Sequence, residues 1–124
     1  MLVLADTSIW IDHFRRSNFQ LARLLDRGDI VMHPFVIGEL ALGKVTKIAE
    51  MIEFFHLLPK TIVASADEIL GFISKRKLSG SGIGYVDVHL LAAAALMPET
   101  LVWTRDKKLR AAAQALSLVA EIAE

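Results

Sequence analysis

Four carboxylates in this chain lie in apolar stretches, where an ionised side chain is costly to desolvate. Asp6 ends the run MLVLA, Glu39 lies within FVIGELAL, Asp87 interrupts IGYVDVHLLAAAALM, and Asp106 follows LVWT after one arginine. A cation or hydrogen bonds must offset the desolvation cost, and carboxylate oxygens are the ligands that hard divalent ions prefer. Taken together, the four acids predict one divalent-metal site.

Each acid taken alone also has a simpler structural role open to it. Asp6 could cap the N-terminus of a helix, and the first turn of a helix favours an aspartate such as Asp106. Glu39 has apolar neighbours at helical spacing, yet it could reach solvent near the end of its helix. Asp87 is the hardest to account for without a cation, because no lysine or arginine lies within one helical turn of it.

The other candidates for chemistry are weaker. The four histidines share no metal-ligand spacing, and we expect each to be structural or exposed; they are His13, His33, His56 and His89. The glycine-rich segment 79–84 follows a basic helix instead of a strand and lacks a Gly-Lys-Ser/Thr ending, so we expect a flexible loop and no nucleotide site. Ser8 has no evident histidine partner for a hydrolytic triad.

The composition predicts one domain with a large core and no membrane span. We predict a single domain over residues 1–124, because 124 residues is the usual size of one domain. Hydrophobic residues make up 54% and the mean hydropathy is +0.47, so we expect a rich core and some apolar surface covered by a partner. The longest apolar run, residues 90–97, is far below the ~20 residues of a span. With no cysteine and no secretion signal, a cytosolic protein is predicted.

Short apolar runs alternate with helical segments. Strands are predicted at residues 2–5, 29–33 and 101–103, with a further short one at 118–119. A first helix is predicted from Ile9, with Thr7 or Ser8 as its N-terminal cap. Three more are predicted over residues 18–27, 34–43 and 46–57. A fifth runs from Ser65 or Asp67 to about residue 78, a sixth from the glycine-rich loop to Pro98, and a seventh over 106–116. This alternation favours an α/β domain with a mainly parallel sheet and helices on both faces. Ligands of such sheets bind beyond the carboxyl ends of the strands, where Asp6 and Asp106 fall.

Four separated motifs occur in order from end to end of the chain: LVLADTSIWIDHF, FVIGELALG, GIGYVDVHLLAAA and LVWTRDKKL. In this order they resemble the PIN domain, and within it the VapC-type toxins of bacterial toxin–antitoxin pairs. The resemblance implies a three-layer α/β/α domain with a mainly parallel sheet of about four to five short strands. It also implies a ribonuclease that depends on Mg²⁺ or Mn²⁺ and cuts single-stranded or looped RNA.

Carried over position by position, the resemblance makes Asp6, Glu39, Asp87 and Asp106 the four acidic residues of the metal site. Asp6 and Asp87 are expected as direct ligands. Glu39 is expected to bind a metal directly or through water, or to help deprotonate the nucleophile. Asp106 is the outer member of the set.

Further residues are expected to support this chemistry. Ser8 would hydrogen-bond a metal-bound water or order the carboxylates, and Thr104 matches the hydroxyl residue that supports the last acid. Three basic residues near Asp106 are expected to contact phosphate, which would make RNA binding salt-dependent; they are Arg105, Lys107 and Lys108.

The resemblance also implies partners. Members of this family are usually dimers, and a small antitoxin silences them by laying its C-terminal segment in an apolar groove near the active site. We expect that groove between the helices around residues 9–14 and 51–55. An alternative function is a PIN-like module that binds RNA or protein without turnover. A metal-dependent phosphatase on a similar sheet is disfavoured, because no DxD motif follows the first strand.

Overall fold

A computed structural model describes residues 1–122, which form a three-stranded sheet and seven helices. In chain order the elements are β1 (Leu2–Ala5), α1 (Thr7–Arg15), α2 (Phe19–Asp26), β2 (Ile30–Val31), α3 (Pro34–Leu42), α4 (Ile48–His56), α5 (Ala66–Lys75), α6 (Tyr85–Leu96), β3 (Thr100–Trp103) and α7 (Lys107–Ala115). The alternation of strands and helices that the sequence predicts is therefore present.

All three strands are parallel, in the order β2-β1-β3. Val3 pairs with Ile30 on one side of β1, and Ala5 pairs with Trp103 on the other. Because the strands run in the same direction, their carboxyl ends meet at one edge, and each is followed there by the start of a helix. The central strand β1 delivers Asp6 to the middle of that edge.

The sheet has fewer strands than the expected four to five. The segment at Lys60 and the predicted strand at 118–119 each pair with the sheet only through a single bridge, Met32 with Lys60 and Val102 with Val119. On the first side, pairing cannot extend because His33 ends the strand region and caps α3. On the other side, Ser117 adopts a left-handed φ of 59° immediately before the paired segment. Both segments extend the sheet by one residue pair instead of forming strands.

Helices cover both faces of the sheet. Three consecutive residues of β1, Val3, Leu4 and Ala5, are fully buried, which requires apolar cover above and below the strand. In β3, the neighbours Val102 and Trp103 point to opposite faces and belong to different apolar clusters. This arrangement confirms the predicted three-layer α/β/α fold.

Most helix boundaries follow the predicted signals. The helix α3 begins at Pro34 and ends before Gly43, and Ser65 caps α5 in a reciprocal capping box with Glu68. The start of α1 differs from the prediction, because Asp6 caps it instead of Thr7 or Ser8. Both hydroxyls are thereby free for other contacts.

No helix within residues 1–122 is long and apolar enough to cross a membrane. The longest of them, α6, has 12 residues.

Candidate metal centre

The four predicted acids gather at the carboxyl edge of the sheet. Asp6 follows β1 and caps α1, while Asp106 follows β3 and caps α7. Asp87 lies in the first turn of α6. The negative charges of Asp6, Asp106 and Glu39 each raise the pKa of the Asp87 carboxyl, so these three acids lie within electrostatic reach of Asp87.

Asp6 is the buried member of the group, with 5% of its surface exposed. Its Oδ1 accepts hydrogen bonds from Ser8 Oγ at 2.5 Å and from the backbone N–H of Ile9 at 3.2 Å. Its Oδ2 accepts a hydrogen bond from the Thr104 hydroxyl. Burial raises the pKa of Asp6, and these hydrogen bonds act in the opposite direction by favouring the charged form.

Ser8 and Thr104 connect two parts of the sheet edge. Ser8 Oγ accepts the backbone N–H of Arg105 at 3.0 Å, and Thr104 Oγ1 accepts the backbone N–H of Asp106 at 2.9 Å. Each hydroxyl therefore accepts from the turn between β3 and α7 and donates to Asp6. Ser8 orders a carboxylate, which was one of its two expected roles, whereas Thr104 contacts the side chain of Asp6 and only the backbone of Asp106.

Asp87 is half-buried and its pKa is raised to about 6. The largest cause is burial, followed by the charges of Asp6, Asp106 and Glu39, while the backbone N–H of Gly84 acts in the opposite direction. Because α6 begins at Tyr85, Asp87 lies at the positive end of the helix dipole. The dipole offsets the negative charge only in part, since the pKa of Asp87 is still raised.

The expectation of apolar surroundings is wrong for Glu39 and Asp106, both of which are exposed. Leu42, one turn beyond Glu39, is 91% exposed, so this face of α3 is not covered and the glutamate reaches solvent. Glu39 Oε1 accepts a hydrogen bond from Thr7 Oγ1 at 2.6 Å. Asp106 Oδ1 accepts from the backbone N–H of Leu109 at 2.9 Å, as a helix cap does.

The three basic residues of the expected phosphate contacts surround the start of α7 and are exposed. Arg105 forms an ion pair with Asp12, with 2.7 Å between Nη1 and Oδ1. Lys108 lies along the glycine-rich loop, where a Cβ on Gly82 would stand 3.1 Å from its Nζ. The absence of a side chain at Gly82, which has a left-handed φ of 84°, leaves room for this lysine.

The model of the family described as PIN domain matches residues 3–115 of this chain. The chain belongs to the PIN domain family. A protein named Ribonuclease VapC32, from two strains of Mycobacterium tuberculosis, is 40% identical over 111 residues, which are 90% of each chain. This similarity confirms the VapC-type resemblance.

The fold comparison agrees with this assignment. The crystal structure of PAE2754 from Pyrobaculum aerophilum matches with a TM-score of 0.65 and covers 92% of this chain and 86% of its own. Its sequence identity is 14%, so this likeness supports the fold alone.

The donor set of this PIN domain fits a hard divalent cation. All four acids offer oxygen ligands, and Asp6 uses three of its roughly four lone-pair directions, which leaves one on Oδ2 for an ion. Within the described residues, no three acidic or histidine side chains already converge as a metal cluster.

One contact at this edge was missed by the sequence reasoning, and one pair of histidines took a role it allowed. The Thr7 hydroxyl donates a hydrogen bond to Glu39. In the sequence, this contact was indicated only by the position of Thr7 directly after Asp6, the residue that caps α1. His33 and His89 are buried and packed together with ring centroids 6.1 Å apart. Both were expected to be structural or exposed; His33 is structural, because its Nδ1 accepts the backbone N–H of Phe35 at 2.9 Å and caps α3.

We predict that Asp87→Asn stabilises the metal-free PIN domain at pH 7.5. Because the pKa of Asp87 in the folded state is about 6, above its ordinary value of 3.8, this group's contribution to stability is present below pH 3.8 and is lost as the pH rises through 6. Removing the charge should raise Tm by roughly 2–4 °C at pH 7.5 and leave it nearly unchanged at pH 4. Thermal unfolding in EDTA at both pH values measures this difference.

Asp67→Asn is the matched control, since Asp67 occupies the first turn of α5 and is exposed. A clear loss of stability in Asp87→Asn, with none in the control, would show that Asp87 has a structural hydrogen-bonding role instead.

We predict that Thr104→Val destabilises the protein by about 1–3 kcal/mol, the cost of taking a donor from a buried carboxylate. The pKa of Asp6 should rise further in this variant. The loss of unfolding free energy should therefore become smaller as the pH falls and Asp6 becomes neutral. Thr61→Val is the isosteric control, because Thr61 is also buried but its Oγ1 has no partner among residues 1–122. Urea unfolding should show the control to be neutral or stabilising; equal losses for both variants would refute a specific role of Thr104.

Proposed function

We propose that this PIN domain is a Mg²⁺- or Mn²⁺-dependent endoribonuclease toxin of the VapC type. The observation that carries the proposal is the gathering of carboxylates at the carboxyl edge of the sheet: Asp6 and Asp106 cap helices there, Asp87 lies in the first turn of α6, and Glu39 is within electrostatic reach of Asp87. Such a concentration of negative charge is relieved by a divalent cation. The name of the relative Ribonuclease VapC32, at 40% identity, supports RNA as the substrate.

Asp6 and Asp87 are the proposed direct ligands. Asp6 is held in place by three hydrogen bonds and keeps a free lone pair. The ionised form of Asp87 is disfavoured by burial and by the neighbouring carboxylates, so a bound cation would stabilise it. Glu39 would bind directly or through water, or accept a proton from the attacking water, and Asp106 would act from the outer side of the site. A bound divalent ion would supply activation of water and stabilisation of negative charge on the phosphate.

The surrounding residues have separate tasks in this proposal. Ser8 and Thr104 keep Asp6 oriented and favour its charged form. Arg105, Lys107 and Lys108 would contact phosphates of the RNA, since their side chains are exposed beside Asp106. Arg105 would have to break its ion pair with Asp12 or contact phosphate through its remaining N–H groups. Lys107 and Lys108 are therefore the more available phosphate contacts.

We predict that the protein, purified free of any antitoxin, cuts mixed-sequence single-stranded RNA in Mg²⁺ or Mn²⁺ and not in EDTA. Asp87→Asn should lower kcat on the order of 100-fold or more, and it should reduce the rise in Tm that Mn²⁺ produces. Asp67→Asn should keep both properties. Cleavage is followed by gel electrophoresis and metal binding by thermal unfolding.

Two outcomes would contradict the proposal. Cleavage that persists in EDTA, or that is unchanged in both Asp6→Asn and Asp87→Asn, would remove the metal centre from the mechanism. RNA affinity without turnover under several divalent metals would instead favour a binding module without catalysis.

A groove on the surface fits the proposed antitoxin. It has a volume of about 520 Å³ and includes the exposed rings of Phe14 on α1 and Phe54 on α4, each 42% exposed. A second groove of about 350 Å³ shares Phe14 and Val45 with it and reaches Glu39. A peptide segment lying along both would pass from the exposed aromatic rings to Glu39, and an antitoxin bound in this way would cover one of the four acids. We further propose a homodimer that acts in the cytoplasm, where RNA is the substrate.

We predict that Phe54→Glu weakens binding of the cognate antitoxin at least about 10-fold, because aromatic anchors contribute strongly to interfaces. RNA cleavage by the isolated variant should remain within about twofold of the unchanged protein. Leu57→Glu is the control, since Leu57 is 83% exposed just after the same helix and does not line the groove. Titration calorimetry measures affinity; an equal effect of both variants would argue against the groove.

A further inference from the structure

Tyr85 is a half-exposed aromatic residue at the start of the helix that carries Asp87. It is the first residue of α6, two positions before Asp87, and 54% of its surface is exposed. An exposed aromatic side chain is common on protein surfaces and has no meaning by itself. The environment of this ring therefore has to decide whether it has a function.

The ring of Tyr85 is held by a series of packed rings that leads into the core. It packs edge-on against His89, with centroids 4.8 Å apart and an interplanar angle of 79°. His89 is 3% exposed and packs against Phe35 at 4.6 Å and His33 at 6.1 Å. The Tyr85 ring is thus supported from below by buried side chains, while half of its surface remains open.

This series of rings joins the two helices that carry Asp87 and Glu39. Tyr85 and His89 belong to α6, while Phe35 lies in α3, one helical turn before Glu39. The exposed ring is therefore a pre-ordered aromatic surface at the start of the helix that carries Asp87.

Basic side chains lie near the loop that leads into the same helix. Lys108 packs along Gly82, three residues before Tyr85, and Lys107 is exposed next to it in α7. Single-stranded RNA is recognised by this combination of side chains: cations contact its phosphates, and exposed aromatic rings stack on its bases.

We propose that Tyr85 stacks on a nucleobase of the substrate and thereby positions the adjacent phosphate at the acidic site. The inference rests on the proposed function, because it names how that site would hold RNA. Stacking tolerates all four bases, so Tyr85 contributes affinity and register more than recognition of one sequence.

The first experiment compares Tyr85→Ala, Tyr85→Leu and Tyr85→Phe in binding to a fluorescent single-stranded RNA in Ca²⁺ and in cleavage in Mn²⁺. Loss of the ring in the Ala and Leu variants should raise Kd and KM about 5- to 100-fold with little change in kcat, whereas Phe should stay within about twofold. Tyr85→Leu keeps apolar bulk over His89 if the alanine variant folds poorly. The rise in Tm with Mn²⁺ should be the same in every variant.

Leu96→Ala is the matched control. Leu96 is 53% exposed at the opposite end of the same helix, and its truncation should leave RNA binding unchanged. If Tyr85→Leu binds RNA like the unchanged protein, or loses affinity only for the antitoxin, the stacking role is wrong.

A second experiment locates the contact by placing single abasic nucleotides along the RNA. At one position near the cut, loss of the base should weaken binding by the unchanged protein and have no further effect on Tyr85→Leu. Independent effects at every position would overturn the proposal.

The two proposals fail separately. If the unchanged protein does not cut RNA in Mg²⁺ or Mn²⁺, the nuclease proposal fails, and the binding and abasic measurements still test Tyr85. If it cuts RNA and Tyr85→Leu has the same Kd and KM, only the stacking proposal fails.

Discussion

The burial of one carboxylate at the end of the central strand is the constraint on which the site depends. Asp6 follows β1, is 5% exposed, and is surrounded by hydrogen-bond donors from α1 and from the turn after β3. A buried carboxylate without donors would be very unfavourable, so Ser8 and Thr104 stabilise the fold and order the site through the same contacts. These two hydroxyls also accept backbone N–H groups of the turn between β3 and α7, which fixes the start of α7 relative to β1.

The remaining acids are tolerated for a second electrostatic reason. Helices α1, α6 and α7 all begin at this edge, with Asp6 and Asp106 as caps and Asp87 in a first turn. The positive ends of their dipoles partly offset the negative charge. The offset is incomplete, because the pKa of Asp87 is still raised to about 6. The result is a site with one rigid carboxylate, one half-buried carboxylate that resists ionisation, and two exposed ones that can adjust their positions to a cation and a substrate.

Local signals in the sequence predicted the helices better than the strands. Proline at 34, glycine at 43 and a Ser65–Glu68 capping box mark helix boundaries whatever the rest of the fold does. Strands depend on partners that are distant in sequence. The segments at Lys60 and Val119 have strand-like neighbours, yet each pairs at one residue only, because the adjoining strand ends or a turn intervenes. The edge aromatic Tyr85 gave no sequence signal at all, since its meaning lies in the rings packed beneath it.

The sequence by itself determined which four acids were candidates for the chemistry and that strand ends would bring two of them, Asp6 and Asp106, to one edge. It did so because the carboxyl ends of parallel strands meet at the same edge of a sheet, and because the motif order resembles one family. Only the tertiary structure decided how the four acids differ. Glu39 and Asp87 both lie in apolar stretches of the sequence, but Glu39 is exposed and Asp87 is half-buried. Burial, dipoles and the distances between charges arise from packing between distant segments, and these quantities set the pKa of a carboxylate.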